Sequence, residues 1–187
     1  MKNIAIFASG SGTNTEKIIE YFNNHKGIKV AIVLSNKPDA YVIQRTISYN
    51  IPYAIFNKEQ FYKTNEILNI LLDNKINLVV LAGFLWLVPD NILLTYSDKV
   101  INIHPALLPK YGGKGMYGNN VHKAVINNKE KETGITIHYV NKNYDEGAII
   151  FQAKCNIDLS DNSESIADKV HELEHYYYPR IIEDLIM

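Results

Sequence analysis

The chain has 187 residues, a length that suits one domain with a sizeable core, and its 47% hydrophobic and 21% charged content excludes disorder and a coiled coil. A formal net charge of -1 leaves no overall electrostatic footprint for nucleic acid or an anionic membrane. The single cysteine, Cys155, excludes an internal disulfide and fits a reducing compartment. The longest apolar run, residues 78–88, falls well short of the ~20 residues of a membrane span, and the N-terminal apolar stretch is too short for a signal peptide. A cytoplasmic protein is expected.

The first half alternates β-rich apolar runs with segments of helical period, the mark of parallel βαβ units. Strands are predicted over residues 3–9, 28–35, 52–56, 77–83 and 99–104, and helices over 14–25, 40–49 and 59–73. The run NLVVLAG at 77–83 is apolar on both faces, as a central parallel strand must be. The second half opens with a glycine-rich loop, KYGGKGMYG, followed by a short helix near 120–127. Two strand-like runs, TGITIHYV and GAIIFQAKCNI, flank the turn NKNYDEG and suggest an antiparallel pair. A helix runs from Ser163, with Asp161 or Ser163 as its N-cap. The expected fold is α/β, a Rossmann-like, mostly parallel sheet flanked by helices, with residues 1–187 in one domain. Cys155 lies in a strand-like run without an activating base beside it and reads as a structural thiol.

In an open parallel sheet, ligands bind outside the carboxyl ends of the strands. The first strand ends there in SGSGTN, a glycine-rich turn that runs into a helix. Backbone amides at such a helix start make a phosphate or anion site. The dinucleotide pattern G-x-G-x-x-G is broken by Thr15. Thr13 and Glu16 also have capping-box spacing, which would start the helix without a ligand. In INIHP, period-two alternation sends Ile101 and Ile103 to one face and Asn102 and His104 to the other. A carboxamide and an imidazole side by side at a strand end can stabilise an oxyanion, or simply bond backbone groups. A carboxylate near His104 would raise its pKa, and Asp145 and Glu146 are the candidates, unless they serve the turn alone.

One motif points elsewhere. HELEH, residues 171–175, matches the zinc-protease pattern H-E-x-x-H letter for letter, in which two histidines four apart face one metal. A catalytic zinc needs a third ligand, and only twelve residues follow His175, with Pro179 interrupting the helical pattern. No metal is expected.

With SGSGTN, LAGFLWLVP, INIHPALLPKYGGKGMYG and YDEGAIIFQAK in this order, nearly the whole chain resembles the phosphoribosylglycinamide formyltransferases, the folate-dependent glycinamide ribonucleotide transformylases of purine synthesis. The resemblance implies the formyltransferase fold and a formyl transfer from 10-formyltetrahydrofolate to the primary amine of glycinamide ribonucleotide. It implies Asn102, His104 and Asp145 as the catalytic group, with Asp145 raising the His104 pKa. Gly12, Thr13, Asn14, Thr15 and Glu16 match the phosphate loop, and Glu174 the ribose contact, which gives HELEH a sugar role in place of zinc. Leu85, Trp86, Leu87 and Val88 match the segment along the pterin, with Asn102 also facing the folate. The family's basic folate contact after the third strand has no unambiguous match, although Lys58 lies close, and the glycine loop is longer than in some members. Partners implied are the ribonucleotide and the reduced folate, with neither nucleic acid nor membrane, and a monomer or homodimer. The alternatives are a 10-formyltetrahydrofolate deformylase, which usually carries a further N-terminal domain, and a non-catalytic nucleotide-binding module.

Overall fold

The computed structural model describes residues 1–187. Strands β1 (Lys2–Ala8), β2 (Ile28–Ser35), β3 (Tyr53–Ile55), β4 (Ile76–Leu81), β5 (Val100–His104), β6 (Glu132–Tyr139) and β7 (Ile149–Asn156) form one seven-stranded sheet in the order β3-β2-β1-β4-β5-β6-β7. The pairs among β1 to β5 are parallel, and β6 pairs antiparallel with both β5 and β7. This is the mostly parallel sheet with a C-terminal antiparallel pair expected from the alternation of patterns.

Both faces of the parallel part are buried, which explains its unbroken apolar runs. Along β1, Ile4, Ile6 and Ala8 enter one core with helices α1 (Thr13–Phe22), α2 (Tyr41–Ser48) and α7 (Ser163–Ile186). Ala5 and Phe7 enter the other, where Phe56, Phe61 and Phe84 surround the Phe7 ring. The second core is closed by α3 (Lys58–Tyr62), α4 (Glu66–Asp73) and α5 (Asp90–Thr95). Helix α6 (Asn119–Asn127) packs its Val121 and Val125 on Ala106.

Three local expectations are corrected. The helix expected over 59–73 is two helices. Asn57 and Gln60 close a capping box that starts α3 early, and Thr64 Oγ1 then takes the Gln60 carbonyl and the Glu66 amide. Such side-chain bonds compete with the helical ladder and end it. The cap of α7 is neither Asp161 nor Ser163 but Asn162, which accepts from the Glu164 and Ser165 amides while Ser165 Oγ accepts from the Asn162 amide. Pro179 does not interrupt α7. Its ring costs the helix one hydrogen bond, and burial of Tyr178, Ile182 and Ile186 in the core around it holds the helix together.

Tyr178 is also the pin between α7 and the sheet: fully buried, its hydroxyl donates to the Leu81 carbonyl at 2.9 Å, with the Ile101 carbonyl at 3.5 Å. The Leu81 carbonyl belongs to the last residue of β4, and that of Ile101 to the second residue of β5. Tyr178→Phe leaves them without that donor and is expected to lower stability by about 1–3 kcal/mol, read as a lower urea midpoint with unchanged m-value.

Candidate active site

A cavity of about 700 Å³ opens at the carboxyl ends of β1, β4 and β5. It lies where the chain order reverses, β2 to one side of β1 and β4 to the other, the position at which open α/β sheets bind ligands. Its size is that of a small-molecule site.

One end is formed by residues 9–14. Gly12 is the N-cap of α1 with φ 74, and a Cβ there would stand 2.4 Å from Val42 Cγ2, so only glycine fits both the left-handed backbone and the close approach. The Val42 amide donates to the Gly10 carbonyl and Arg45 Nε to the Ser11 carbonyl, which fastens the loop to α2. The first three amides of α1, those of Thr13, Asn14 and Thr15, have no intrahelical acceptor and gather beside the cavity. The capping box expected from Thr13 and Glu16 does not form. Glu16 pairs instead with Arg45, and the Thr15 side chain is fully buried. Neither Thr15 nor Glu16 lines the cavity: Thr15 can offer a ligand only its amide, and the Glu16 carboxylate serves the loop's anchor.

Next along the wall stand Asn14, His171 and Glu174. Asn14 Nδ2 donates to Glu174 Oε2 at 2.8 Å, while Asn14 Oδ1 is buried without a partner. Glu174 is only 5% exposed, and burial pushes its carboxyl above the usual range against the Asn14 hydrogen bond. In HELEH, the His171 and His175 rings stack with centroids 6.0 Å apart. No three His, Cys, Asp or Glu side chains converge as metal ligands would.

The centre of the cavity holds Asn102, His104 and Asp145. As the alternation in INIHP requires, Ile101 and Ile103 enter the core while Asn102 and His104 face the cavity. His104 is 3% exposed. Its Nε2 lies 2.7 Å from the Tyr111 carbonyl and its Nδ1 lies 3.5 Å from Asp145 Oδ2. A carbonyl can only accept, so Nε2 carries a hydrogen and any further proton is taken on Nδ1, facing Asp145. Of the two acids in NKNYDEG, Asp145 turns inward in a left-handed conformation with φ 56, whereas Glu146 accepts from Asn143 Nδ2 at the surface. The Gly113 amide donates to Asp145 Oδ2 at 2.9 Å.

Burial is the largest influence on His104 and holds its pKa below the ordinary value, while Asp145 and the Tyr111 carbonyl act upward. Asp145 acts on His104 in the expected upward direction, and desolvation exceeds that push. For Asp145 burial also opposes ionisation, yet His138, His104 and the Gly113 amide outweigh it and keep the carboxyl below the usual range.

The far end is walled by Leu85, Trp86, Leu87 and Val88 beside Phe84, Val140 and Tyr144. The Leu85 amide is tied to Ser9 Oγ and the Leu87 carbonyl accepts from Tyr62. The amides of Trp86, Leu87 and Val88 take no hydrogen bond within the protein. Lys58 Nζ stands 5.8 Å from the Trp86 ring centre, outside the lining of the cavity. The glycine loop, from Gly113 to Gly118, forms the rim, with Gly113, Gly115 and Gly118 at positive φ.

Sequence reasoning missed the Tyr111 carbonyl, His122 and His138. His122 is 3% exposed, lines the cavity and makes no hydrogen bond to the protein through its buried Nδ1; burial, with His171 and His104 nearby, lowers its pKa to about 4. Period-two alternation along TGITIHYV held a signal for His138, but its partner depends on strand register.

The profile of the formyl transferase family matches residues 2–182. The phosphoribosylglycinamide formyltransferase of Bacillus subtilis is 37% identical over 193 residues, covering 100% of this chain and 95% of that relative. The enzyme of the same description from Haemophilus influenzae is 36% identical, covering 98% and 86%. Among solved structures, glycinamide ribonucleotide transformylase 1 of Geobacillus kaustophilus matches with a TM-score of 0.89 at 32% identity over 100% of both chains, and the phosphoribosylglycinamide formyltransferase of Bacillus halodurans with 0.87 at 35%, covering 98% and 95%. With the sheet, the loop at the start of α1 and the Asn-His-Asp centre in one cavity, and with these matches along nearly its whole length, the chain belongs to the formyl transferase family and within it to the phosphoribosylglycinamide formyltransferases.

Proposed function

We propose that the protein transfers the formyl group of 10-formyltetrahydrofolate to the primary amine of glycinamide ribonucleotide, a step of purine biosynthesis in the cytoplasm, with Asn102, His104 and Asp145 at the transfer point. One observation carries the assignment of the site: this trio lies in a single cavity between an anion-binding helix start and an apolar wall with three unpaired amides. The free amides of residues 13–15 suit the phosphate. Glu174 can accept from the two hydroxyls of a ribose, and the unpartnered Asn14 Oδ1 beside it offers a further acceptor. The free amides of residues 86–88 suit a flat heterocycle with acceptors at its edge, held against Trp86, Leu85 and Val88.

The chemistry is a direct acyl transfer, so no side chain need become acylated. When bound, the reduced folate supplies the formyl group, and the chain's groups handle charge and protons. The amine attacks the formyl carbon, and oxyanion character develops on the formyl oxygen. Asn102 donates an N–H to that oxygen. His104 holds a proton at Nδ1 between the reacting oxygen and Asp145, and its positive charge is balanced by the carboxylate. As the tetrahedral centre collapses, the proton lost by the amine and the one needed at the departing folate nitrogen pass through this pair. Holding both substrates in one cavity replaces a bimolecular encounter with an oriented one.

Tetrahydrofolate release from 10-formyltetrahydrofolate, followed optically, is expected to require glycinamide ribonucleotide; release with water alone as acceptor would make the protein a deformylase. His104→Ala is expected to lower kcat by about 10²–10⁴-fold while calorimetry shows ribonucleotide binding retained, and unchanged turnover would remove His104 from the mechanism. The protonated form of His104 is the active one, so the rate falls as pH rises through its pKa. Asp145 acts on that pKa upward, and Asp145→Asn should move this falling limb of the kcat profile to lower pH, besides lowering its plateau.

A further inference from the structure

We propose that His138 is a positioning residue for the transfer step, acting through Asn102; the proposal rests on the function assigned above. His138 lies on β6 directly opposite Asn102 of β5, is 2% exposed and lines the cavity. Paired residues of neighbouring strands point to the same side of a sheet, so the imidazole reaches the carboxamide from the flank.

The two ring nitrogens of His138 have distinct tasks. Nδ1 is 2.8 Å from the carbonyl of Tyr139. That oxygen can only accept, so Nδ1 carries the hydrogen and, in the neutral ring, Nε2 is a bare acceptor. Asn102 Nδ2 lies 3.1 Å from Nε2. Only the amino end of the carboxamide satisfies that contact; the flipped group would set Oδ1 against another acceptor. The tautomer dictated by Tyr139 thus decides which end of Asn102 faces which neighbour.

This matters because the terminal torsion of asparagine is soft and broadly two-fold. Nδ2 has two hydrogens. His138 takes one, which fixes the direction of the other, and that second hydrogen has only Asp145 Oδ1 at 3.5 Å, too long for a strong bond. It can be surrendered to a developing oxyanion at little cost. Without His138, the carboxamide can rotate and present its oxygen to the growing negative charge, turning a stabilising group into a repelling one. His138 Nε2 also lies 3.6 Å from Asp145 Oδ1, a longer approach than the 3.1 Å to Asn102 Nδ2. A protonated ring would give its hydrogen to that carboxylate and hold Asp145 low, whereas the neutral ring accepts from Asn102, and that is the organising contact.

The test is a kinetic comparison of His138→Leu, His138→Gln, Asn102→Ala and the double variant His138→Leu/Asn102→Ala, with glycinamide ribonucleotide as acceptor. Removing an oxyanion donor outright costs about 10²–10³-fold in kcat, so loosening one is expected to cost on the order of 10–100-fold, with both KM values within about twofold. His138→Gln, whose Oε1 can accept near the place of Nε2, should recover most of the loss. The double variant should be no slower than Asn102→Ala, because residues that act through one another are non-additive. A wild-type kcat in His138→Leu would overturn the proposal, as would multiplicative losses in the double variant, or a kcat loss in His138→Gln equal to that in His138→Leu. Where His138→Leu does not fold, His138→Met provides an apolar chain of similar length for the same cycle. A wild-type protein inactive toward the ribonucleotide would instead remove the assigned function, a result read separately from the ratios among variants.

Discussion

One carboxylate joins the parts of this molecule that come from distant stretches of sequence. Asp145 reaches His104 on β5, His138 on β6 and the Gly113 amide of the glycine loop, and does so from the turn between β6 and β7. A buried charge is tolerated only when it is surrounded by donors and opposite charge, so those groups must converge if the fold is to keep it ionised. The turn, the two strands and the loop are thereby held in one arrangement. Gly112 shows how tight it is: a Cβ there would stand 3.2 Å from Asp145 Cβ and 2.6 Å from Leu108 Cδ2.

The same packing sets the electrical state of the site. Burial disfavours the imidazolium of His104, and Asp145 favours it. A histidine near such a balance can change state when a ligand alters its surroundings. The structure also supports the segment behind the pair. Thr136 is fully buried; its hydroxyl donates to the Ala106 carbonyl and accepts from the Leu108 amide and Gln152 Nε2. That hydroxyl fixes the chain where it leaves His104, so Tyr111 arrives with its carbonyl at Nε2.

Much of this was legible because it depends on local rules. Two-faced burial makes a parallel strand apolar throughout, and 77–83 announced β4 in that way. Period two placed Asn102 and His104 on one side. What failed depended on neighbours far along the chain. Thr13 and Glu16 have capping-box letters, but Gly12 packs against Val42 and Arg45 takes Glu16, so the loop is shaped by α2 and not by its own cap. Pro179 reads as a helix end until the buried side chains around it are counted. Asp145 and Glu146 are equivalent in sequence, and only the left-handed turn decides which enters the cavity.

HELEH and His138 show the two directions of error in reading chemistry from letters. In HELEH the letters fit a metal site, yet Glu174 is turned to Asn14 across 160 residues of sequence, and of the two histidines only His171 lines the cavity beside it. His138 matches no motif at all, and its place beside Asn102 follows from an antiparallel register that no single strand encodes. A motif specifies chemistry only when its backbone aims the side chains at one point. A residue outside every motif gains a chemical part when strand pairing brings it opposite one that has it. For an oxyanion site the second case is the more consequential, since a donor stabilises charge in proportion to how firmly its direction is set before the charge appears.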